Sequence, residues 1–221
     1  MLTLVPTPVG NLEDITLRAL RVLREADLIA AEDTRHAGIL LKHHGISRPL
    51  VSLHEHNEAQ RAGEMAQRLA AGENIALLTD AGTPGISDPG FRVVRACLES
   101  GLEFTVLPGP TAILPALVGS GLPLHEFYFG GFLPVKSGRR ENVLTEALGR
   151  RETSIFFESP HRIAKSLAVL AALAPDRPVC VARELSKKFE EYWRGTAAEL
   201  SARAAQQPPR GEICLLVGGK S

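Results

Sequence analysis

The sequence has no excess of charge of either sign, because its 25 lysine and arginine residues match its 25 aspartate and glutamate residues. A balanced chain creates no net field that attracts nucleic acid, so RNA binding would need a local basic surface. No stretch is long and apolar enough to span a membrane, and the N-terminus lacks the charged region of a signal peptide. We therefore expect a cytoplasmic protein.

Cysteine is scarce as well. Cys97, Cys180 and Cys214 are odd in number, widely spaced and set among apolar residues. This pattern argues against a disulfide framework or a cysteine zinc site and predicts buried free thiols. His54 and His56 can share one face of an extended segment, but no third ligand follows nearby, so we expect no bound metal.

A third absence concerns nucleotide binding. The turn after the first predicted strand reads PTPVGN (residues 6–11) and carries no G-x-G-x-x-G fingerprint. Its absence argues against an ordinary NAD site and against the common Rossmann-type methyltransferase loop. Taken alone, the turn is also compatible with a purely structural role.

The first half of the chain alternates short apolar strands with amphipathic helices five times, which predicts a parallel sheet with right-handed crossovers. The pattern changes near the sequence GSGLP (residues 119–123), where we place a domain boundary. The prediction is an N-terminal α/β domain of residues 1–119 and a C-terminal α/β domain of residues 120–221.

The strongest candidate site is the strand-to-helix segment of residues 79–90, TDAGTPGISDPG, which we call the Gly/Pro loop. Its three glycines and two prolines constrain the backbone far more than a plain connection requires. In open parallel sheets, ligands bind beyond the carboxyl ends of the strands, in loops of this type. We therefore predict that the Gly/Pro loop binds a ligand.

Polar clusters follow several other predicted strands, at residues 32–36, 158–162 and 183–188. Each is compatible with a helix cap and neighbouring ion pairs, but their number in both halves favours a cleft between the domains. Concentrated basic residues occur at 136–140 and 150–151, near several aromatics. This segment could form a phosphate-and-stacking surface for RNA, or a solvated loop beside inward-facing aromatics.

Eight segments, in the same order over nearly the whole chain, closely resemble the 16S rRNA methyltransferases of the tetrapyrrole methylase superfamily. They read VPTPVGNLEDITLRAL, AEDTRH, SLHEHNE, TDAGTPGISDPGFRVVRACLE, LPGPTA, GFLP, FFESPHR and VARELSKKFEEYWRGT. The resemblance implies a two-domain fold, with a mostly parallel N-terminal sheet, a mixed C-terminal sheet and flanking helices. It also implies a homodimer that holds S-adenosylmethionine between the domains and methylates a cytidine ribose 2′-hydroxyl in the decoding centre of 16S rRNA.

Carried over residue by residue, the resemblance places cofactor contacts at Pro8, Ala81, Gly82, Thr83, Ile86, Thr111, Ala112 and Glu158. The wider superfamily usually has an acidic residue at the position of Thr83. We therefore expect the backbone at this position, and not the side chain, to contact the methionine end of the cofactor. Similar proteins often continue with a small helical segment, whereas this sequence ends at Ser221. If that segment contributes to RNA binding, residues 136–140 are expected to compensate.

A sulfonium is an excellent methyl donor and needs no metal, but a ribose hydroxyl is weakly acidic and benefits from a base or a cation. The sequence alone does not identify which residue is that base or cation. The candidate catalytic residues are Asp33, His56, Glu158, Glu184 and Lys187. The candidate RNA-binding residues are Arg35, Lys136, Arg139, Arg140 and Arg183.

Two alternatives remain at this point: another methylase of the superfamily, acting on a tetrapyrrole or a modified protein side chain, and a non-catalytic RNA-binding module that has kept the fold. The HEHNE and ESPHR segments favour the ribosomal substrate. The intact Gly/Pro loop and the PGPTA turn (residues 108–112) argue against a non-catalytic protein.

Overall fold

Strands and helices alternate along residues 1–220, the part of the chain that this computed structural model describes. They divide into two units, Met1–Thr111 and Ala112–Ser221. The division precedes the helix Ile113–Ser120, which the sequence analysis assigned to the first domain. That helix packs with strands of the second unit.

The first unit contains five strands and four α-helices among its described residues. In chain order they are β1 (Leu2–Leu4), α1 (Leu17–Glu25), β2 (Leu28–Ala31), α2 (Thr34–His43), β3 (Leu50–Ser52), α3 (Glu58–Ala70), β4 (Ile75–Leu78), α4 (Phe91–Glu99) and β5 (Phe104–Val106). The strands form one sheet in the order β3-β2-β4-β1-β5, and every neighbouring pair is parallel. The predicted parallel sheet is confirmed.

Both faces of this sheet are buried, which explains why its central strands are apolar throughout. Successive residues point to opposite faces. In β4, Ala76 and Leu78 pack with α1 and α2, whereas Ile75 and Leu77 pack with α3 and α4. Loops that project beyond the strand ends are therefore mounted on a rigid core.

The second unit contains α5 (Ile113–Ser120), β6 (Phe127–Phe132), α6 (Ser137–Gly149), β7 (Thr153–Glu158), α7 (Ile163–Leu173), β8 (Pro178–Arg183), β9 (Glu191–Thr196), α8 (Ala197–Gln206) and β10 (Ile213–Val217). Its sheet has the order β6-β7-β10-β8-β9. The β6–β7 pair is parallel and the other three pairs are antiparallel, so the sheet is mixed, as predicted. Helices α6, α7 and α8 cover one face, and α5 covers part of the other.

All three cysteines are buried and free, which confirms the predicted buried thiols. Burial raises the pKa of the Cys180 thiol to about 11 and that of Cys214 to about 12. These thiols therefore stay protonated near neutral pH and act as small core residues. Within residues 1–220, no helix is long and apolar enough to span a membrane, and no cluster of three or more metal-ligating side chains is found.

Candidate functional site

The loops after β4 and β1 are joined by a two-way backbone contact. The Thr7 amide donates to the Gly82 carbonyl at 2.9 Å, and the Gly82 amide donates to the Thr7 carbonyl at 2.9 Å. The Thr7 hydroxyl also donates to the carbonyl oxygen of Thr79 at 2.9 Å. The turn that lacks a nucleotide fingerprint therefore supports the Gly/Pro loop directly.

The loop after β5 joins the same assembly. The Thr83 hydroxyl donates to the carbonyl oxygen of Pro110 at 3.3 Å. A Cβ on Gly109 would lie 2.8 Å from the Cβ of Pro6, so only glycine permits this approach. Because β4, β1 and β5 are neighbours in the sheet, three loops meet at one edge. Six of the eight expected cofactor contacts lie in these loops: Pro8, Ala81, Gly82, Thr83, Ile86 and Thr111.

The Gly/Pro loop itself depends on positive φ angles. Gly82, Gly85 and Gly90 have φ values of 79°, 87° and 139°. Ser87 has a φ of 66°, which costs a non-glycine residue about 1–2 kcal/mol. The glycines in the sequence motif are thus required by the path of the backbone.

A buried carboxylate that the sequence analysis missed holds the end of this loop. Oε1 of Glu58 accepts from the amides of Gly90 at 2.8 Å and Arg92 at 2.9 Å. Gly90 is the N-cap residue of α4 and has no side chain to cap the helix, so Glu58 on α3 takes that role. A glycine at an N-cap position is the sequence signal that points to an external cap.

Carboxylates also collect beside the Gly/Pro loop, at the ends of β2 and β4. The Asp33 amide donates to Oδ1 of Asp80 at 3.2 Å, and the Asp80 amide donates to Oε2 of Glu32 at 3.4 Å. Burial, with the charges of Glu32 and Asp80, raises the pKa of Asp88 to about 7. Burial also raises the pKa of Glu32. This edge of the sheet therefore carries a negative potential.

The raised pKa of Asp88 predicts a pH-dependent stability. The folded state keeps a proton that the unfolded state releases, between an ordinary pKa of 3.8 and a folded pKa of about 7. Stability is therefore lost as pH rises through that window and then levels off. We expect Asp88→Asn to raise the free energy of unfolding by about 1 kcal/mol at pH 8, after allowance for solvent screening, and by less at pH 5.

Denaturant unfolding at both pH values measures this effect. Asp176→Asn, at an exposed position in the second unit, is the matched control and should change little. An equal gain at pH 5 and pH 8 for Asp88→Asn would contradict the assignment.

Asp33, a candidate base, is already engaged. Its Oδ1 accepts from the Arg35 amide at 2.8 Å and from Arg35 Nε at 3.1 Å, and its Oδ2 accepts from Nη2 at 2.7 Å. The side-chain and backbone hydrogen bonds of Arg35 hold the pKa of Asp33 well below its usual range. Asp33 is therefore the cap of α2 and a poor proton acceptor. The side chain of Arg35 remains largely exposed.

His56 differs from the carboxylate candidates because it is exposed. Its ring lies 6.0 Å from that of His54 in an edge-on arrangement. His54 is fixed by Asn57, whose Oδ1 accepts from the His54 amide at 2.9 Å. The HEHNE segment thus holds one anchored histidine and one that is accessible.

Glu158, expected both as a cofactor contact and as a base, is buried in the second unit. Oε1 accepts from the Ser159 amide at 2.7 Å and from Arg162 Nε at 2.9 Å. Oε2 accepts from the Ser166 hydroxyl at 2.7 Å. These contacts tie the end of β7 to the start of α7, so the geometry favours a structural role.

The side chains of Glu184 and Lys187 are also held by hydrogen bonds, in the segment that follows β8. Oε1 of Glu184 accepts from Lys187 Nζ at 3.0 Å and from the Glu212 amide at 3.0 Å. The hydrogen bond from Glu212 is the main reason that the pKa of Glu184 is lowered. For Lys187, burial opposes the charged form, but hydrogen bonds to Glu212 and Glu184 outweigh it and raise the pKa.

Arg183, which was predicted to bind RNA, donates hydrogen bonds to backbone carbonyls of its own unit. Its Nε donates to the carbonyl of Arg210 at 2.8 Å and its Nη1 donates to that of Phe189 at 3.0 Å. It also pairs with Glu191 at 3.4 Å. Its donors are therefore largely used within the second unit.

The basic segment divides into exposed and buried cations. Lys136 and Arg139 are exposed. Arg140 is only 5% exposed, and its Nη1 donates to the carbonyl of Val135 at 3.2 Å, so we remove it from the direct RNA contacts. The nearby aromatics do not all face inward, because Phe127, Tyr128 and Phe132 are exposed.

Comparison with known proteins identifies the family. The profile of the Tetrapyrrole (Corrin/Porphyrin) Methylases matches residues 1–201. Proteins named Ribosomal RNA small subunit methyltransferase I are close relatives. The one from Synechocystis sp. (strain ATCC 27184 / PCC 6803 / Kazusa) is 47% identical over 99% of this chain and 79% of its own. The one from Vibrio cholerae serotype O1 is 50% identical over 99% of this chain and 77% of its own.

Solved structures agree on the fold. The uroporphyrin-III-C-methyltransferase from Thermus thermophilus has a TM-score of 0.68 at 23% identity, covering 98% of this chain and 93% of that one. The methyltransferase CobJ has a TM-score of 0.73 at 21% identity, covering 99% and 93%. The resemblance drawn from the sequence motifs is confirmed. The chain belongs to the tetrapyrrole methylase family and, within it, to the methyltransferases named ribosomal RNA small subunit methyltransferase I.

Proposed function

We propose that this protein transfers a methyl group from S-adenosylmethionine to the ribose 2′-hydroxyl of a cytidine in the decoding centre of 16S rRNA. The observation that carries the proposal is the set of three joined loops after β4, β1 and β5. It brings together six of the eight positions where the resemblance places cofactor contacts, and five of these six residues, all except Gly82, are partly or fully exposed. Relatives named for ribosomal RNA methylation, at 47% and 50% identity, support the choice of substrate.

The residues present suit S-adenosylmethionine. Pro8, Ala81 and Ile86 offer partly or fully exposed apolar surface beside the Gly82 backbone. The neighbouring carboxylates, including Asp88, suit a ligand with a sulfonium and an ammonium group. The Thr83 hydroxyl donates to Pro110, which supports recognition by backbone at that position.

The bound cofactor would supply a methyl group on a good leaving group. The ribose oxygen forms a bond to the methyl carbon while the carbon–sulfur bond breaks, and the hydroxyl proton passes to a base. Alignment of the two reactants supplies much of the acceleration. Asp33 and Glu158 have both oxygens occupied by donors, and Oε1 of Glu184 accepts from Lys187 and from the Glu212 amide. We therefore propose His56 as the base, since its side chain is exposed and a positioned imidazole can serve as a general base.

For His56→Gln, we expect the turnover number to fall about 10- to 100-fold, because a positioned base contributes on the order of 10²–10⁴-fold and solvent replaces it in part. The affinity for S-adenosylmethionine should not change. Initial rates and a calorimetric titration of the cofactor separate the two quantities. Glu55→Gln, at the exposed neighbouring position, is the control. Unchanged turnover in His56→Gln would eliminate this residue as the base.

Methyl transfer from labelled S-adenosylmethionine tests the function as a whole. Purified small ribosomal subunits and naked 16S rRNA are offered in parallel, and the modified nucleotide is mapped. Label on the ribose of a decoding-centre cytidine supports the proposal. Label elsewhere, or none despite demonstrated cofactor binding, would overturn the proposed substrate. A visible absorption change on mixing with a porphyrin-like compound would favour a tetrapyrrole substrate instead.

Two accompanying proposals come from the family resemblance. We expect the protein to form a homodimer, which light scattering after gel filtration measures directly. We also expect it to act in the cytoplasm, where its ribosomal substrate is located, and cell fractionation tests this location.

A further inference from the structure

An exposed aromatic ring lies at the edge of the second unit's sheet. Phe132 ends β6, the edge strand, and is 61% exposed. Its ring lies 5.2 Å from that of Phe157, which in turn lies 5.1 Å from Phe129. Phe132 is thus the most exposed of the three rings and rests on Phe157, which in turn contacts Phe129.

The backbone before Phe132 determines its direction. The pairing of β6 with β7 shifts register between Phe129 and Phe132, and Gly131 has a φ of 66°. Irregularities of this kind re-aim side chains at sheet edges. The exposed ring of Phe132 is therefore available to a ligand that stacks on aromatic side chains.

Helix α6 begins five residues after Phe132, and the side chain of its N-cap residue, Lys136, does not cap its first amides. The first turn of the helix contains no acidic residue. Around Gly138, nothing lies within 4 Å of the position that a Cβ would occupy. The first amides of the helix, together with the exposed cations Lys136 and Arg139, therefore present positive charge to solvent.

A buried cation provides a second, independent indication of an anion. The Arg140 guanidinium donates to the carbonyls of Pro134 at 3.5 Å and Val135 at 3.2 Å, immediately before α6. Its Nε has no partner, and within residues 1–220 its side-chain hydrogen bonds go to these two carbonyls and to no carboxylate. A buried charge without a counter-charge is costly, and an anion at the adjacent helix start would reduce that cost.

We propose that the β6–α6 junction (residues 132–140) binds one nucleotide unit of single-stranded RNA. The base stacks on Phe132, the phosphate binds at the start of α6 between Lys136 and Arg139, and Arg140 acts as a positioning residue behind them. Single-stranded RNA fits because only an unpaired base exposes a face for stacking. The inference rests on the proposed RNA substrate and specifies how part of it is held.

Fluorescence anisotropy with a labelled single-stranded RNA of about 12 nucleotides tests the proposal on the full chain, at several salt concentrations. We expect Phe132→Ala to weaken binding about tenfold, because the base loses the ring on which it stacks, with little change in salt dependence. We expect the double change Lys136→Ala and Arg139→Ala to weaken binding and to reduce the salt slope by about 1.4. A matched duplex should bind more weakly than the single strand.

The control variants remove the same types of side chain, an exposed aromatic and two exposed cations, at positions outside the β6–α6 junction. Phe189→Ala removes another aromatic of similar exposure, 64%, from the second unit. Arg18→Ala with Arg21→Ala removes two exposed cations from α1. The inference is overturned if the junction variants bind like these controls, if the wild type does not bind the strand, or if it prefers vesicles of anionic phospholipid. Methylation of 16S rRNA by the wild type is scored separately, so the proposed function can stand while this inference fails.

Discussion

Gly82→Val is expected to weaken S-adenosylmethionine binding about 10- to 100-fold. Gly82 has a φ of 79°, where a non-glycine residue costs about 1–2 kcal/mol and a β-branched one costs more. Valine would pull the backbone toward negative φ and disturb both hydrogen bonds to Thr7. Because those bonds join the loops after β1 and β4, the proposed cofactor surface would separate. Isothermal titration calorimetry measures the affinity directly.

Gly72→Val is the matched control for this substitution. Gly72 has a similar φ of 92°, nothing lies within 4 Å of its Cβ position, and it follows α3, away from the joined loops. It should lose stability through backbone strain but keep its cofactor affinity. Equal losses of affinity in both variants would mean that strain alone, without the loop junction, explains the result.

The second large effect concerns stability rather than binding. We expect Glu158→Ala to lower the free energy of unfolding by about 3 kcal/mol, equivalent to about 13 °C in melting temperature for a unit of this size. Truncation leaves the guanidinium of Arg162, the amide of Ser159 and the buried hydroxyl of Ser166 without their acceptor. Breaking a buried pair is costly because the remaining charge stays uncompensated.

Thermal and denaturant unfolding of Glu158→Ala are compared with those of Glu146→Ala, at an exposed position on α6. The control should change stability by no more than about 0.5 kcal/mol. A different outcome would be informative: a Glu158→Ala protein of normal stability that has lost methyl transfer would restore this residue as a catalytic or cofactor contact.

Local patterns in the sequence were sufficient to predict the sheet of the first unit. Short apolar strands alternate with amphipathic helices, and each strand is too apolar for a solvent-facing sheet. The Gly/Pro loop could also be identified, because clustered glycine and proline carry strong backbone constraints. Its positive φ angles at Gly82, Gly85 and Gly90 confirm that reasoning.

The roles of charged residues were harder to predict, because they depend on partners distant in sequence. Glu184 looks like a free acid at a strand end, yet its oxygen is occupied by the amide of Glu212, 28 residues later. Glu58 looks like an ordinary helix-starting acid, yet it caps a helix that begins 33 positions further on. Hydrogen bonds of this kind are set by tertiary packing and leave no short-range pattern.

The burial of Arg140 could have been predicted from the sequence. Arg140 shares a helical face with Leu144 and Ala147, at the i, i+4 and i+7 spacing of a buried stripe, and all three are buried. The charge of Arg140 favours an RNA contact, whereas its position on the buried face of the helix removes it from solvent. Charge suggests what a residue can bind, whereas periodicity decides whether it can reach solvent.

The position of β1 between β4 and β5 has a consequence for how the protein is made. Leu2–Leu4 pairs with Ile75 to Leu77 on one side and with Phe104 to Val106 on the other. Strand β1 is therefore synthesised before both of its neighbours and has no partner until most of the first unit has been made. Its long sequence separation from both partners makes closure of the sheet slow and late. The joined loops follow from that closure, so the proposed cofactor surface is complete only when β5, the last strand of this sheet, has docked.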